Sequence, residues 1–233
     1  MQIGIIGVGR MGQVLAAKLS RKWEVVLFDS DPCQLKIAAA QLGLAAVPQI
    51  EGLSGVGAVV LAVPDNAAPA CARQVAQLPA PPVIINIATN VTHAQLVAAA
   101  GGARCASVKF VSHAAEMGRG EAPLIIVHHE PADLVDLACR IFAPAGIVTV
   151  GDADRVKFIN TVAVEKALVA AVAIERELAA AGVADPAILS AALRVVGAGV
   201  LKAYAANDLG PFARDIVRRL KEEGEKVNGW QGC

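Results

Sequence analysis

The stretch Gln2-Ile3-Gly4-Ile5-Ile6-Gly7-Val8-Gly9-Arg10-Met11-Gly12 begins as an apolar strand pattern and breaks directly into three spaced glycines. The next strand-like run ends on Asp29. A G-x-G-x-x-G pattern that follows a strand, opens a helix and precedes an acid by about twenty residues predicts a dinucleotide-binding turn. In such a turn Gly7 permits the bend, Gly9 leaves room for a pyrophosphate and Gly12 lets the helix approach the strand.

The start of the helix after these glycines is the predicted phosphate site. The first backbone N–H groups of a helix lack partners within it, and the helix dipole is positive there, so anions bind at this end. An ordinary strand-to-helix turn is the alternative, but such turns do not need three glycines at these offsets. The predicted cofactor contacts of the turn are Gly7, Val8, Gly9, Arg10, Met11 and Gly12.

Asp29 is predicted to accept hydrogen bonds from the ribose hydroxyls of the adenosine half. A 2′-phosphate at that place would meet a like charge, and the following Ser30-Asp31-Pro32 adds a second acid and no arginine. The sequence therefore favours NAD, and NADP stays open because Arg10 lies within the glycine turn. Helix capping is the competing role for Asp29, but Asp31 directly before Pro32 suits that role better.

Composition narrows the classes of function. Lys plus Arg and Asp plus Glu both total 21, and aromatic residues make up 3% of the chain, so no nucleic-acid surface is expected. Five cysteines are scattered without C-x-x-C spacing, which indicates neither a disulfide framework nor a zinc site, and we predict no metal. Without an apolar run of about eighteen residues or a basic leader, the sequence predicts a cytoplasmic protein with no membrane contact.

Two kinds of pattern divide the chain near residue 151. Before it, apolar runs alternate with alanine-rich helical patterns, which is typical of a parallel sheet covered on both faces. Strands are expected at 2–6, 24–28, 45–47, 58–63, 83–87, 106–110, 124–128 and 147–150, and helices at 11–19, 32–42, 67–78, 93–100 and 131–143. After it, only helical patterns follow, at 154–181, 186–206 and 211–223, and the tail from 228 is expected to fray.

These patterns predict an α/β protein with two domains. Residues 1–151 would form a Rossmann-type, doubly wound, mostly parallel sheet that binds a dinucleotide, and residues 152–233 a smaller all-helical substrate and dimerisation domain. The first of the three late helices is apolar around most of its girth, so it must be buried on several sides. We therefore predict a homodimer through the helical domain. Burial against the sheet domain alone is the alternative.

Two strand ends of the predicted sheet supply further candidates, because ligands of open α/β sheets bind beyond the carboxyl ends of the strands. Ala62, Val63 and Pro64 follow the fourth strand, and Ala88 and Thr89 follow the fifth. Small residues at both places would leave room for a nicotinamide ring. For the neighbouring Asp65, Asn66 and Asn90, ordinary turn formation is an equally good interpretation.

Polar side chains that could serve a substrate lie farther along the chain. Ser112 and His113 follow the sixth strand and could orient a carboxylate or supply a proton, with an unengaged surface histidine as the alternative. Lys157 and Asn160, at spacing i and i+3, share a face of the long helix. Lys157 could transfer a proton there and Asn160 could hold the polar atoms of a substrate. A solvated surface lysine without a catalytic role is the alternative. The adjacent pair His128-His129 points to opposite faces of a strand, so we interpret both as surface residues.

These motifs resemble a known superfamily, which includes beta-hydroxyacid dehydrogenases and pyrroline-5-carboxylate reductases. The dehydrogenases carry a Val-Ser-Gly-Gly loop that binds the substrate carboxylate and a Lys-x-x-Asn pair whose lysine is catalytic. Val111-Ser112-His113-Ala114 partly matches the first, with both glycines replaced, and Lys157-Phe158-Ile159-Asn160 matches the second. Asn86-Ile87-Ala88-Thr89 stands where that family has an acid and a Ser-Thr pair.

The reductases are matched in a different segment. Val108-Lys109-Phe110-Val111 is similar to their Val-Arg-x-Met segment, while their Ser-Pro-Gly-Gly-Thr-Thr loop has no counterpart. The sheet domain also resembles deazaflavin-dependent NADP oxidoreductases.

The resemblance implies an NAD(P)-dependent oxidoreductase. Hydride would pass between the nicotinamide and a small carboxylate-bearing hydroxyacid, imine or carbonyl compound, with Lys157 as the catalytic residue and Asn160, Ser112 and His113 around the substrate. A non-catalytic NAD(H)-binding regulatory dimer and a deazaflavin-dependent NADP reductase are the open alternatives.

Overall fold

We analysed a computed structural model, which describes the backbone of residues 1–228 and the side chains through Glu223. The predicted frayed tail, apart from its first residue, lies outside the described residues. The chain divides into two compact units, Met1–Val162 and a second that begins at Ala163. This division falls within the long helix, whereas the predicted domain boundary after residue 151 precedes that helix.

The first unit is built on an eight-stranded sheet. Its strands are β1 (Gln2–Ile6), β2 (Glu24–Phe28), β3 (Ala45–Ala46), β4 (Ala58–Leu61), β5 (Val83–Asn86), β6 (Cys105–Val111), β7 (Leu124–His128) and β8 (Ile147–Gly151). They lie in the order β3-β2-β1-β4-β5-β6-β7-β8, and every neighbouring pair is parallel except β6 with β7. The chain order reverses between β1 and β4, which is the switch point where doubly wound sheets bind ligands. The predicted fold class is confirmed.

Six helices of this unit connect the strands. They are α1 (Arg10–Leu19), α2 (Pro32–Leu42), α3 (Ala68–Ala76), α4 (His93–Ala100), α5 (Ala114–Gly118) and α6 (Ala132–Phe142). Two 3₁₀ turns, Ile50–Leu53 and Ala153–Arg155, complete the connections. The sequence did not predict α5 or the first 3₁₀ turn, since neither is long enough to show a helical period of apolar residues.

The sheet is buried on both faces, as its runs of Val, Ile and Leu require. Ile3 and Ile5 of β1 pack with Leu15 of α1 on one face. Ile6 and Leu61 lie in a second cluster on the other face, with Leu96 of α4. Burial of one such side chain stabilises the fold by about 1.5–3 kcal/mol. Because both faces of the sheet are covered, a ligand can reach the sheet at the ends of its strands.

The long helix α7 (Val156–Ala180) begins in the first unit and continues into the second. The second unit then holds a continuous helical stretch with a central π-helical turn, made of α8 (Pro186–Ala191), the turn Ala192–Gly197 and α9 (Ala198–Ala205). α10 (Pro211–Asn228) follows and is longer than predicted.

Contrary to the sequence-based expectation, one described helical stretch is long and apolar enough to cross a membrane. Pro186–Ala205 has a mean hydropathy of 1.5 and contains no buried residue. Length and composition are the sole basis for this assignment, and an apolar helix covered by another protein surface passes the same test.

Candidate functional site

The glycine turn between β1 and α1 has the geometry that the sequence predicts. Gly7 has a φ of +97°, and a Cβ there would lie 2.5 Å from the carbonyl oxygen of Ala62. A Cβ on Gly12 would lie 1.9 Å from the carbonyl oxygen of Gly7. At Gly9, by contrast, a Cβ would meet nothing within 4 Å. Two glycines are therefore required by the turn itself, and the third leaves open space.

That open space lies at the N-terminus of α1. Gly9 is the N-cap residue and provides no side-chain cap for the helix. The helix therefore presents backbone N–H groups and its positive dipole end to the open space at Gly9, which suits a pyrophosphate. Arg10, which follows, is exposed, and Met11 is half-buried.

Asp29, at the end of β2, fixes the shape of this turn. Its Oδ2 accepts a hydrogen bond from the N–H of Val8 at 2.7 Å, and its Oδ1 accepts one from the N–H of Asp31 at 2.9 Å. Val8 is fully buried, and its carbonyl accepts from Gln13 Nε2 at 2.7 Å. Both backbone groups of Val8 are thus engaged within the protein. As predicted, Asp31 caps α2 through its Oδ1.

A cavity of about 550 Å³ lies beside Asp29, where an adenosine half would sit. It is lined by Phe28, Asp29, Ser30, Pro32, Leu35, Lys36, Ala39, Ala46, Val47 and Pro48. Lys36 supplies a basic side chain that the sequence-based prediction missed. Its position relative to Pro32, at i+4 on the helix face that lines the cavity, was the signal that could have revealed it.

The ends of β4 and β5 meet at the same edge of the sheet. Asp65 accepts hydrogen bonds from the backbone N–H of Asn90 at 3.2 Å and from its Nδ2 at 2.6 Å. Ala62 lies against the glycine turn, so close that side chains at Gly7 and Gly12 would meet it. Among the other predicted ring neighbours, Val63 and Thr89 are half-buried, Ala88 is buried and Pro64 is exposed.

Two fully buried polar side chains hold the connection between β5 and α4. Asn86 accepts the N–H of Ala88 at 2.9 Å and donates to the carbonyl of Val91 at 3.1 Å. Lys109 of β6 donates to the carbonyls of Ala88 and Val91, the latter at 2.8 Å. Burial lowers the pKa of Lys109 to about 8, although Asp154 and Asp65 favour its charged form.

The residues predicted to serve a substrate lie near the ends of β6 and α7. Ser112 is half-buried and donates from Oγ to Met117 Sδ at 3.2 Å, while His113 is exposed at the N-cap of α5. Asn160 donates from Nδ2 to the carbonyl of Phe110 at 2.9 Å, so the start of α7 is fastened to the end of β6. Lys157, one turn earlier, is exposed.

One interpretation from the sequence is wrong. His128 is buried, with 9% of its surface exposed, and its ring stacks on that of His93 at 4.5 Å. It accepts the N–H of Ala153 at 3.3 Å, because the strand end is covered by the 3₁₀ turn before α7. His129 is exposed, as predicted. Among the described residues, no group of three or more His, Cys, Asp or Glu side chains could hold a metal ion.

Comparison with known proteins gives a family match for the first part of the chain. Residues 2–90 match the family described as NADP oxidoreductase, coenzyme F420-dependent. The match covers β1 to β5 with the glycine turn and Asp29, but less than half of the chain. A search of curated protein sequences gave no match.

Solved structures resemble the chain over most of its length. Pyrroline-5-carboxylate reductase from Coxiella burnetii has a TM-score of 0.69 at 14% identity, over 97% of this chain and 89% of its own. A reductive aminase from Aspergillus terreus, solved with NADPH, has a TM-score of 0.66 at 16% identity, over 96% and 78%. 3-Hydroxyisobutyrate dehydrogenase from Mycobacterium tuberculosis has a TM-score of 0.64 at 16% identity, and the match covers 78% of this chain and 66% of the dehydrogenase.

These likenesses show that the chain shares its fold with the pyrroline-5-carboxylate reductase, the reductive aminase and the hydroxyisobutyrate dehydrogenase. At such identities the structural likeness establishes the fold.

Proposed function

We propose that the protein is an NAD(P)-dependent oxidoreductase that acts on a small carboxylate-bearing hydroxyacid, imine or carbonyl compound. The observation that carries the proposal is the cradle at the switch point of the sheet, where the open space at Gly9 faces the uncapped start of α1. Asp29, which holds the neighbouring Val8, completes it. Imine reductases solved in complex with a reduced NADPH form or with NAD⁺ support the same cofactor class.

The cofactor contacts follow from this geometry. Backbone N–H groups at the start of α1 would hold the pyrophosphate, and Asp29 with the adjoining cavity would hold the adenosine half. When bound, a nicotinamide supplies or accepts the hydride. Ala62, Val63, Pro64, Ala88 and Thr89, at the ends of β4 and β5, would form the walls around the ring.

The chain's own chemical contribution is a proton. When a carbonyl or imine carbon receives hydride, its oxygen or nitrogen must receive a proton, and in the reverse direction a group must remove one. Lys157 is our candidate for that group, since its amine lies on the first turns of a helix that Asn160 fastens to β6. Ser112 and Asn160 would hold the substrate's polar atoms, with His113 as an exposed neighbour.

A substrate panel tests the proposal. NADH and NADPH oxidation would be followed with keto acids and with cyclic imines that carry a carboxylate, and we expect turnover of at least one class. Tight cofactor binding without any turnover would instead favour a non-catalytic NAD(H)-binding regulator. This alternative is favoured by the hydrogen bonds that Ser112 and Asn160 already form within the protein, since these side chains are then engaged without a substrate.

A second candidate function is reduction of NADP by a deazaflavin. The match of residues 2–90 to an F420-dependent family favours it. Reduced deazaflavin supplied with NADP⁺ would then form NADPH, which absorbance at 340 nm measures. The carboxylate of Asp29 opposes a 2′-phosphate, whereas Lys36 in the same cavity could pair with one.

Cofactor choice gives a separate prediction. We expect the protein to bind NADH more tightly than NADPH, and Lys36→Ala to weaken NADPH binding by about tenfold because a charged hydrogen-bond donor is lost. NADH binding should not change. Calorimetric titration measures both dissociation constants. Gln34→Ala, on the same helix and outside the cavity, is the control, and equal losses for both cofactors would contradict a phosphate contact at Lys36.

We also propose that the protein forms a homodimer through its helical unit. Phe212 and Leu168 expose 80% and 61% of their surface, and a mostly apolar cavity of about 460 Å³ opens beside Phe212. Exposed apolar patches mark interaction surfaces in soluble proteins. A cytoplasmic location is proposed as well, since the described cysteines are all unpaired, as in a reducing compartment.

Leu168→Glu tests the dimer. The wild-type protein should sediment at twice the chain mass of 23.9 kDa, and the variant should sediment as a monomer because a charge in an apolar interface is left unpaired. Ile37→Glu, which also replaces an exposed apolar side chain but lies in the first unit, should remain dimeric. A wild-type protein that sediments as a monomer would contradict the proposal.

A further inference from the structure

The buried ammonium of Lys109 has no role in the contacts described for cofactor or substrate. It lies on β6, beneath the connection Ala88–Val91, and none of its surface reaches solvent. Its two hydrogen-bond acceptors are backbone carbonyls of that connection. A lysine is among the residues least often buried, so its presence here requires a specific reason.

The reason lies in the shape of the connection. The carbonyls of Ala88 and Val91 both turn inward, and because a carbonyl oxygen has two lone pairs, each can accept a second hydrogen bond besides the one from the N–H of Val91 or from Asn86 Nδ2. Asn86 reaches the carbonyl of Val91 and accepts the N–H of Ala88. An ammonium offers several donors at the end of a long stem, so Lys109 satisfies both carbonyls at once.

We propose that Lys109 is a positioning residue that holds the Ala88–Val91 backbone in one conformation and so shapes the nicotinamide end of the crevice. The link to the nicotinamide rests on the proposed function, whereas the hold on the backbone does not. Asn86 of β5 and Lys109 of β6 lie on neighbouring strands, and both form hydrogen bonds to the backbone of the connection Ala88–Val91. Asn90 adds a third tie, to Asp65.

Because Lys109 can lose its proton, the stability of the closed connection should depend on pH. Three titratable groups interact with Lys109: Asp154 and Asp65 favour its charged form, and the third is His93, whose own pKa is lowered mainly by burial. The pKa of Lys109 is about 8 in the closed connection and would return towards 10.5 when opening exposes the amine. Between these values the open state binds more protons, so rising pH favours the closed state.

Hydrogen exchange of the cofactor-free protein tests this hold. The N–H groups of Ala88 and Val91 are the probes, because they donate to Asn86 Oδ1 and to the carbonyl of Ala88. Lys109→Met should lower their protection about tenfold or more relative to wild type. In wild type, protection corrected for intrinsic exchange should rise several-fold from pH 7.5 to 9.5, and the variant should lack that rise.

Ser107→Ala is the matched control. Ser107 is fully buried on the same strand but contacts His93 Nδ1, at 3.2 Å, instead of the connection. It should leave the two amides unchanged, and the dissociation constant for NADH should rise about tenfold in Lys109→Met and not in Ser107→Ala.

Two results would overturn the proposal: wild-type protection that is flat or falls over this pH range, or equal effects of the two variants. If Lys109→Met does not fold, the wild-type pH series still decides. If the wild type binds no nicotinamide cofactor, the proposed function fails, and the exchange data still decide whether Lys109 holds the backbone.

Discussion

Gly9→Asp is expected to raise the dissociation constant for NADH by at least about a hundredfold and to leave the fold intact. An aspartate there places a side chain and a negative charge where the pyrophosphate would lie, so both sterics and charge oppose binding. The fold should tolerate it because nothing lies within 4 Å of the added Cβ. Aspartate is also a favoured N-cap residue, and the free energy of unfolding should change by only a few tenths of a kcal/mol.

Gly210→Asp is the matched control for this variant. Like Gly9, Gly210 has open space where a Cβ would lie and no positive φ, but it belongs to the helical unit. Cofactor titration and urea unfolding would be measured for both variants. Unchanged NADH affinity in Gly9→Asp would contradict the cradle, whereas a large loss of stability would contradict the open space that the structure shows at that position.

Lys157→Ala is expected to lower kcat by about a hundredfold or more on any substrate that the panel identifies. Removal of a general acid or base typically costs this much, because the proton transfer that accompanies hydride must then rely on water. The dissociation constant for NADH should stay within about twofold, since Lys157 belongs to α7 and not to the glycine turn. Steady-state kinetics and calorimetry measure the two quantities separately.

Lys22→Ala serves as the control for Lys157. Lys22 lies two residues before the start of β2 and therefore at the amino edge of the sheet, opposite the edge that carries the candidate site. Its removal should change neither kcat nor cofactor affinity. A Lys157→Ala enzyme with wild-type kcat would remove this lysine from the mechanism while leaving the cofactor site untouched.

Much of the sheet domain could be predicted from the sequence because local signals there agree with the global fold. The bounds of β1, β2, β7 and α2 were predicted to the residue, since apolar runs end sharply at glycines, prolines or acids. The sequence predicted that Gly7 permits the bend and that Gly12 allows the helix to approach the strand. The structure shows a positive φ at Gly7 and no room for a Cβ at Gly12. Placement of Lys157 and Asn160 on the first turns of a long helix was also predicted.

Other features depend on contacts between distant segments, which a single sequence does not reveal. Lys109 lies 21 residues from Ala88, and its burial depends on a connection that crosses above β6. His128 is buried where the ring of His93 stacks on it and the 3₁₀ turn before α7 contacts the end of β7. Lys36 had a local signal, its helix-face spacing from Pro32, but its importance depends on a cavity formed with Val47.

Calorimetric titration of the purified protein with NADH and NADPH tests the central claim most directly. We predict saturable binding of one cofactor per chain, with micromolar or tighter affinity, that Gly9→Asp abolishes and Gly210→Asp preserves. Absence of binding to either cofactor, in reduced or oxidised form, by a folded wild-type protein would contradict it.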